Sequence, residues 1–113
     1  MDTRFYDAQK KEDHIMKINT KKLMFPMEIK EKCDRYLSRK NLEITYYNGY
    51  MVEFKNTNFS TISPHKILLK SKEREIVILY YGEHYYDEEL YFINDTNNAC
   101  TFPRLRELVT NYF

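Results

Sequence analysis

The stretch that decides the fold is Leu42-Glu43-Ile44-Thr45-Tyr46-Tyr47-Asn48-Gly49-Tyr50-Met51-Val52-Glu53-Phe54. β-Branched and aromatic side chains, which suit a pleated half-buried surface, flank Asn48-Gly49 on both sides. An Asn-Gly pair accepts the positive φ angles of a type I′ turn, so the stretch predicts a tight β-hairpin. A hairpin here points to an antiparallel sheet, because parallel strands need long crossover connections.

Upstream of this hairpin, Pro26 opens a helix, where its missing N–H has no partner to lose. Ile29, Cys33, Tyr36 and Leu37 follow at i, i+4, i+7 and i+8 and form one apolar stripe. Glu28 and Lys32 are an i, i+4 pair in the favourable order, and Arg39 and Lys40 complement the C-terminal end of the helix dipole. Residues 1–23 are polar and mixed in charge and read as a flexible arm, or as a short helix near Asp13–Ile18.

Downstream, Asn56 to Pro64 reads as a polar loop and His65–Ser71 as a strand. Lys72-Glu73-Arg74 is a charged turn. Glu75–Tyr81 is the most hydrophobic run and is best placed as a central strand. Gly82–Glu89 is an acidic loop, Leu90–Ile93 a short strand, and Asn94–Ala99 a turn. The chain closes on Thr101–Phe113, where Pro103 can start a helix with Thr101 as cap. Leu105, Leu108, Val109 and Tyr112 make its apolar stripe. The fold class is α+β, with a central antiparallel sheet of about four to five strands between an N-terminal and a C-terminal helix. Residues 24–113 form the single domain.

Composition narrows the function classes. A chain of 113 residues holds one core. Hydrophobic residues at 42% are enough to fold, and charged residues at 31% give a well-solvated surface. No apolar run approaches the ~20 residues of a membrane helix, and Met1–Lys11 has no apolar signal-peptide core. The expected location is cytoplasmic, host cytoplasm if the source is a virus or intracellular bacterium. Cys33 and Cys100 have no Cys or His at metal spacing and are expected as free thiols, Cys33 in the core. Only two glycines occur, and neither belongs to a phosphate-cradling pattern, so no nucleotide cofactor is expected. His14, His65 and His84 are scattered relative to Cys33 and Cys100, and no local signature joins them into a nucleophile and base. A non-catalytic, cofactor-free chain is the expectation, with no metal site; His84 beside Glu83 and Asp87 reads as an exposed histidine in an acidic loop.

The net charge of +1 hides an uneven distribution. Residues 1–40 carry +4, residues 41–72 carry +2 and residues 73–113 carry −5. The basic first third supports a secondary reading, a small nucleic-acid-associated protein. The aromatics, however, cluster later, among acids. Tyr80-Tyr81-Gly82-Glu83-His84-Tyr85-Tyr86-Asp87-Glu88-Glu89-Leu90-Tyr91 holds five tyrosines beside four acids and a histidine. Tyrosine is enriched at interfaces, and acids select a basic partner. Tyr80, Tyr81, His84, Tyr85, Tyr86 and Tyr91 are the expected peptide- or protein-binding residues.

Phe102, Leu105, Glu107, Leu108, Val109 and Tyr112 fill the places of a Phe-x-x-Leu-x-Glu-Leu-Val-x-x-Tyr phrase, preceded by Leu90-Tyr91-Phe92-Ile93. In this phrase and in its helix–sheet–helix order, the chain resembles the Src-homology-2 domain. That resemblance implies a peptide-binding adaptor or inhibitor. Tyr50-Met51-Val52-Glu53 is the counterpart of the family's Phe-Leu-Val-Arg strand, with Glu53 where the arginine would grip phosphotyrosine bidentately. A carboxylate there repels a dianionic phosphate, so ordinary phosphotyrosine recognition is expected to be lost. Arg35, Lys55 and Lys66 are the candidates for a substitute anion pocket.

Overall fold

The computed structural model describes residues 18–82, 89–94 and 98–113. In chain order these form β1 (Ile18–Lys22), α1 (Met27–Tyr36), β2 (Glu43–Tyr47), β3 (Tyr50–Phe54) and β4 (Ser60–Ser63). There follow β5 (His65–Lys70), β6 (Glu75–Tyr80), β7 (Tyr91–Ile93), β8 (Ala99–Cys100) and α2 (Phe102–Tyr112). The class is α+β, but the strands make two antiparallel sheets rather than one central sheet. β1-β3-β4 form a three-stranded sheet and β2-β5-β6-β7-β8 a five-stranded one, with β6 in the middle. The last part of the expected arm is therefore the strand β1, paired along its length with β3; residues 1–17 lie outside the described residues.

The Asn48-Gly49 hairpin is corrected by the pairing. β2 and β3 do not face each other: β2 pairs with β5 and β3 with β4. Tyr47 stands opposite Lys66 and Tyr50 opposite Ser63, so one register runs through the interruption. Asn48 and Gly49 thus face His65 and Pro64, and residues 43–54 and 60–70 are the two arms of one long ribbon. The ladder breaks where Pro64, which has no N–H, meets Gly49. Neither Asn48 nor Gly49 has a positive φ. Glycine is needed there for close approach: a Cβ on Gly49 would lie 2.4 Å from the Ser63 carbonyl oxygen and 2.9 Å from both the Pro64 carbonyl carbon and the His65 nitrogen.

The actual reversal lies in the segment expected to be loop. Asn56 takes φ 63°, and the Thr57 hydroxyl donates to the Phe54 carbonyl at 3.0 Å. Asn41 and Asn94 also adopt positive φ, which Asn tolerates better than other side chains. Among the described residues, asparagine supplies three of the four positive-φ positions, and Gly82 the fourth.

The break in the ribbon is tied down from three sides. The Gly49 N–H donates to His65 Nδ1 at 2.8 Å. The Leu23 N–H donates to the Gly49 carbonyl at 2.9 Å. The Phe25 N–H donates to Asn48 Oδ1 at 3.1 Å. The chain entering α1 is thereby stitched to the bend, and the Phe25 ring packs 4.8 Å from the His65 ring.

Both helices cover the same face of the five-stranded sheet. Directly opposed residues in an antiparallel pair share a face. Ile44, Leu69 and Ile76 form one row, and Tyr46, Ile67, Ile78 and Ile93 another. Against these rows lie Ile29, Cys33 and Leu37 of α1 and its C-cap, and Phe102, Leu105 and Val109 of α2. The helices touch each other: the Tyr36 and Phe102 rings are 6.1 Å apart, and the Arg106 guanidinium lies 4.4 Å over Tyr36. The expected arrangement, a sheet between two helices, is therefore not the one adopted. Fully burying each of these aliphatic side chains contributes about 1.5–3 kcal/mol, so a single shared core concentrates the stability on one side of the sheet. Pro26 occupies the N-cap of α1 and Pro103 the first turn of α2, as their sequence positions predict; Thr101 is the α2 N-cap but makes no side-chain capping bond.

Candidate protein-docking face

The opposite face of the five-stranded sheet has a different composition. Thr45, Leu68 and Val77 form one row across it, and Tyr47, Lys66, Leu79, Phe92 and Ala99 the next. Leu68, Val77 and Leu79 are half-buried, whereas their neighbours Ile67, Leu69, Ile76 and Ile78 are buried. The buried residues of both helices pack on the other face.

At the bend the face deepens into a groove of about 800 Å³. It is lined by Lys66, Leu68, Glu75 and Val77 of the open face and by Lys22, Tyr47, Tyr50 and Ser63 at the bend. Tyr47 is 49% and Tyr50 46% exposed, so both rings are available to a partner. The groove continues along Leu79 and Tyr81 to Asn94, where the Tyr81 ring meets Phe92 edge-on at 5.4 Å. The volume falls within the ~300–1,000 Å³ range of ligand clefts. Its continuation from Tyr47 past Leu79 to Asn94 suits an extended chain better than an enclosed small molecule.

The expected binding tyrosines divide. Tyr80 and Tyr91 are buried at 4% and 0% exposure and stack on each other at 5.3 Å in the core, so they do not offer their rings to a partner. Both point to the helix-covered face because Tyr80 pairs with Tyr91 and with His65 in the ladder. Tyr81, one residue on, turns to the open face. His84, Tyr85 and Tyr86 lie outside the described residues, as do Glu83, Asp87 and the acidic-loop reading of His84.

The candidate anion pocket is not assembled. Arg35 is exposed on α1, on the helix-covered side; Lys66 is exposed on the opposite face of the sheet; Lys55 is exposed at the tip of the ribbon. Glu53 is an exposed residue of β3, in the three-stranded sheet and away from the core.

Burial favours the protonated forms of Cys33, Cys100, Tyr46 and Tyr91. Burial, with Asp34 and Glu89 nearby, pushes the Cys33 thiol up to about 12. Burial likewise raises Cys100, and Arg104 opposes that rise. The Tyr91 hydroxyl is raised by burial and by its hydrogen bond to Glu89. Glu89 also accepts from Lys32 Nζ at 3.2 Å, and that ammonium sits 4.6 Å over the Phe102 ring. Tyr46 is raised by burial and by its 2.6 Å hydrogen bond to Asp34. These groups brace α1 against the sheet. Reactive thiols need a depressed pKa and exposure, and Cys33 has neither. Among the described residues no three His, Cys, Asp or Glu side chains gather as metal ligands, and no helix is long and apolar enough to cross a membrane.

Comparison with protein-family models, curated proteins and solved structures yields no match to this chain. The site is therefore read from its own chemistry. Sequence reasoning missed Tyr47 and Tyr50, because it assigned them to the shoulders of a hairpin. It also missed Leu68, Val77 and Leu79, because it expected a helix on each side of the sheet, whereas both helices cover the face of Ile67, Leu69, Ile76 and Ile78.

Proposed function

We propose that this chain is a non-catalytic protein-interaction module, an adaptor or inhibitor that receives an extended polypeptide along the open face of its five-stranded sheet. The observation that carries this reading is the half-buried apolar strip Leu68–Val77–Leu79 running into a groove rimmed by Tyr47 and Tyr50. Aromatic anchors beside aliphatic side chains that a partner can desolvate are the usual seat of binding energy at interfaces. Lys22 and Lys66 on one side and Glu75 on the other would set the partner's register.

The test is site-specific photo-crosslinking. A benzophenone amino acid at Tyr47 should capture one defined partner, and Leu79→Lys should abolish that capture while leaving the circular dichroism spectrum unchanged. Equal capture from a benzophenone at Arg35, on the other side of the sheet, would refute the assignment. The Src-homology-2 resemblance enters this proposal only as a peptide-binding precedent. Phosphotyrosine is not the expected determinant: a phosphotyrosine peptide should bind no better than its unphosphorylated form, and micromolar phosphate-dependent binding would overturn that.

A further inference from the structure

A second surface lies at the end of the sheet away from the ribbon tip. The α1–β2 connection, the β5–β6 turn and the end of α2 enclose a cleft of about 490 Å³. Arg39 and Lys40 enter it from the first segment, Lys72 and Arg74 from the second, with Glu73 the one acidic side chain in its lining. Four cationic side chains against one acidic side chain contrast with a chain whose net charge is only +1. They are far apart in sequence and meet because Glu43–Lys70 pairing brings the start of β2 beside the β5–β6 turn.

An aromatic surface accompanies the charge. Tyr112 is 38% exposed. The Arg74 guanidinium lies 5.4 Å over its ring and donates to its carbonyl oxygen. That bond also covers the negative end of the α2 dipole, which would otherwise repel an anion. Arg39, Lys40 and Lys72 are exposed, and no described carboxylate bridges to them.

We propose that this cleft binds single-stranded nucleic acid, its phosphates held by Arg39, Lys40 and Lys72 and a base stacked on the Arg74–Tyr112 plate. Cationic grooves combined with aromatic or guanidinium planes are the recurring solution for single strands. A peptide of acidic residues alone would use the same cations but would gain nothing from the planar plate. The inference is independent of the docking face, which lies on other residues.

The experiment is fluorescence anisotropy of a labelled oligothymidylate of about 12 nucleotides titrated with the full chain at several salt concentrations. Saturable binding is expected, with log K falling linearly with log salt by about 0.7 per phosphate neutralised. Arg39→Glu and Lys72→Glu should each weaken binding about tenfold or more and flatten the salt slope by about one phosphate. Tyr112→Ala should weaken it at least about fivefold with the slope unchanged. Lys55→Glu, at the ribbon tip, should leave both quantities as they are. Absence of saturable binding below about 100 μM at about 50 mM salt would overturn the proposal. So would equal loss on Lys55→Glu, or displacement of the oligonucleotide by an equimolar poly-glutamate peptide, which would assign the cleft to an acidic protein.

Discussion

Gly49→Ala is the substitution that most directly tests the bent ribbon. The added Cβ would meet three backbone atoms of the facing arm, the nearest at 2.4 Å. Carbon atoms settle at about 3.5–4.0 Å, so the Ser63–His65 backbone must retreat by on the order of 1 Å. Overpacking of this kind costs about 1–3 kcal/mol. The retreat also strains two hydrogen bonds, Gly49 N–H to His65 Nδ1 at 2.8 Å and Leu23 N–H to the Gly49 carbonyl at 2.9 Å. Each contributes about 0.5–1.5 kcal/mol. Loss of glycine's freedom in the unfolded chain offsets about 0.4–1 kcal/mol. The net is a destabilisation of roughly 2–4 kcal/mol, a large share of the ~5–15 kcal/mol typical of a domain. The assay is urea unfolding followed by circular dichroism, supported by thermal melts, where a fall on the order of 10–20 °C is expected. Gly82→Ala is the comparison: its φ is +77° but its Cβ would find only Tyr80 Cε1, at 3.8 Å, so conformational strain of about 1–2 kcal/mol is all it should cost. A Gly49→Ala protein within about 0.5 kcal/mol of the parent would refute the close approach and return Asn48-Gly49 to an ordinary turn.

Other outcomes follow from the same geometry. Ile78→Ala should destabilise by about 2–5 kcal/mol, as a deletion in a closed core, whereas Val77→Ala, one residue away on the open face, should cost under about 1.5 kcal/mol; equal costs in urea titrations would show that both faces are covered. The Cys33 thiol is raised from 9.0 to about 12, so the folded state holds its proton while the unfolded chain releases it. That contribution is complete below pH 9 and is lost between pH 9 and about 12, at about 1.4 kcal/mol per pH unit. The urea midpoint should fall over this range, and Cys33→Ala, though less stable at neutral pH, should show a shallower fall. Native Cys33 should also react with a thiol reagent only at the rate of unfolding, and instant labelling would contradict its burial. Tyr91→Phe removes the hydroxyl donor to Glu89 and should cost about 1–2 kcal/mol, with Lys32→Met adding less than its own single effect because both act through that carboxylate.

The sequence by itself determined the elements with strong local signals. Pro26 and the Ile29–Cys33–Tyr36–Leu37 spacing located α1, and Pro103 with Leu105, Leu108, Val109 and Tyr112 located α2, because helix starts and apolar stripes are properties of neighbouring residues; packing leaves Tyr36 and Tyr112 exposed and buries Phe102 instead. The apolar runs within His65–Ser71 and Glu75–Tyr81 likewise marked β5 and β6 as strands, the second of them central. Tertiary structure decided what depends on the far side of a pairing. Asn48-Gly49 has the chemistry of a turn, but its conformation is dictated by Pro64 and His65 across the ribbon, and the reversal passes to Lys55–Asn58. Tyr80 and Tyr91 have the chemistry of interface residues, but their ladder partners turn them toward the helices and leave Tyr47, Tyr50 and Tyr81 on the open side. Arg39 and Arg74 meet only after two strands have paired. The covered face is the wholly apolar one, Ile44, Ile67, Leu69, Ile76 and Ile78, whereas Lys66, Lys70 and Glu75 alternate with Leu68 and Val77 on the other; that both helices settle on that one face, rather than one on each, is decided by packing alone.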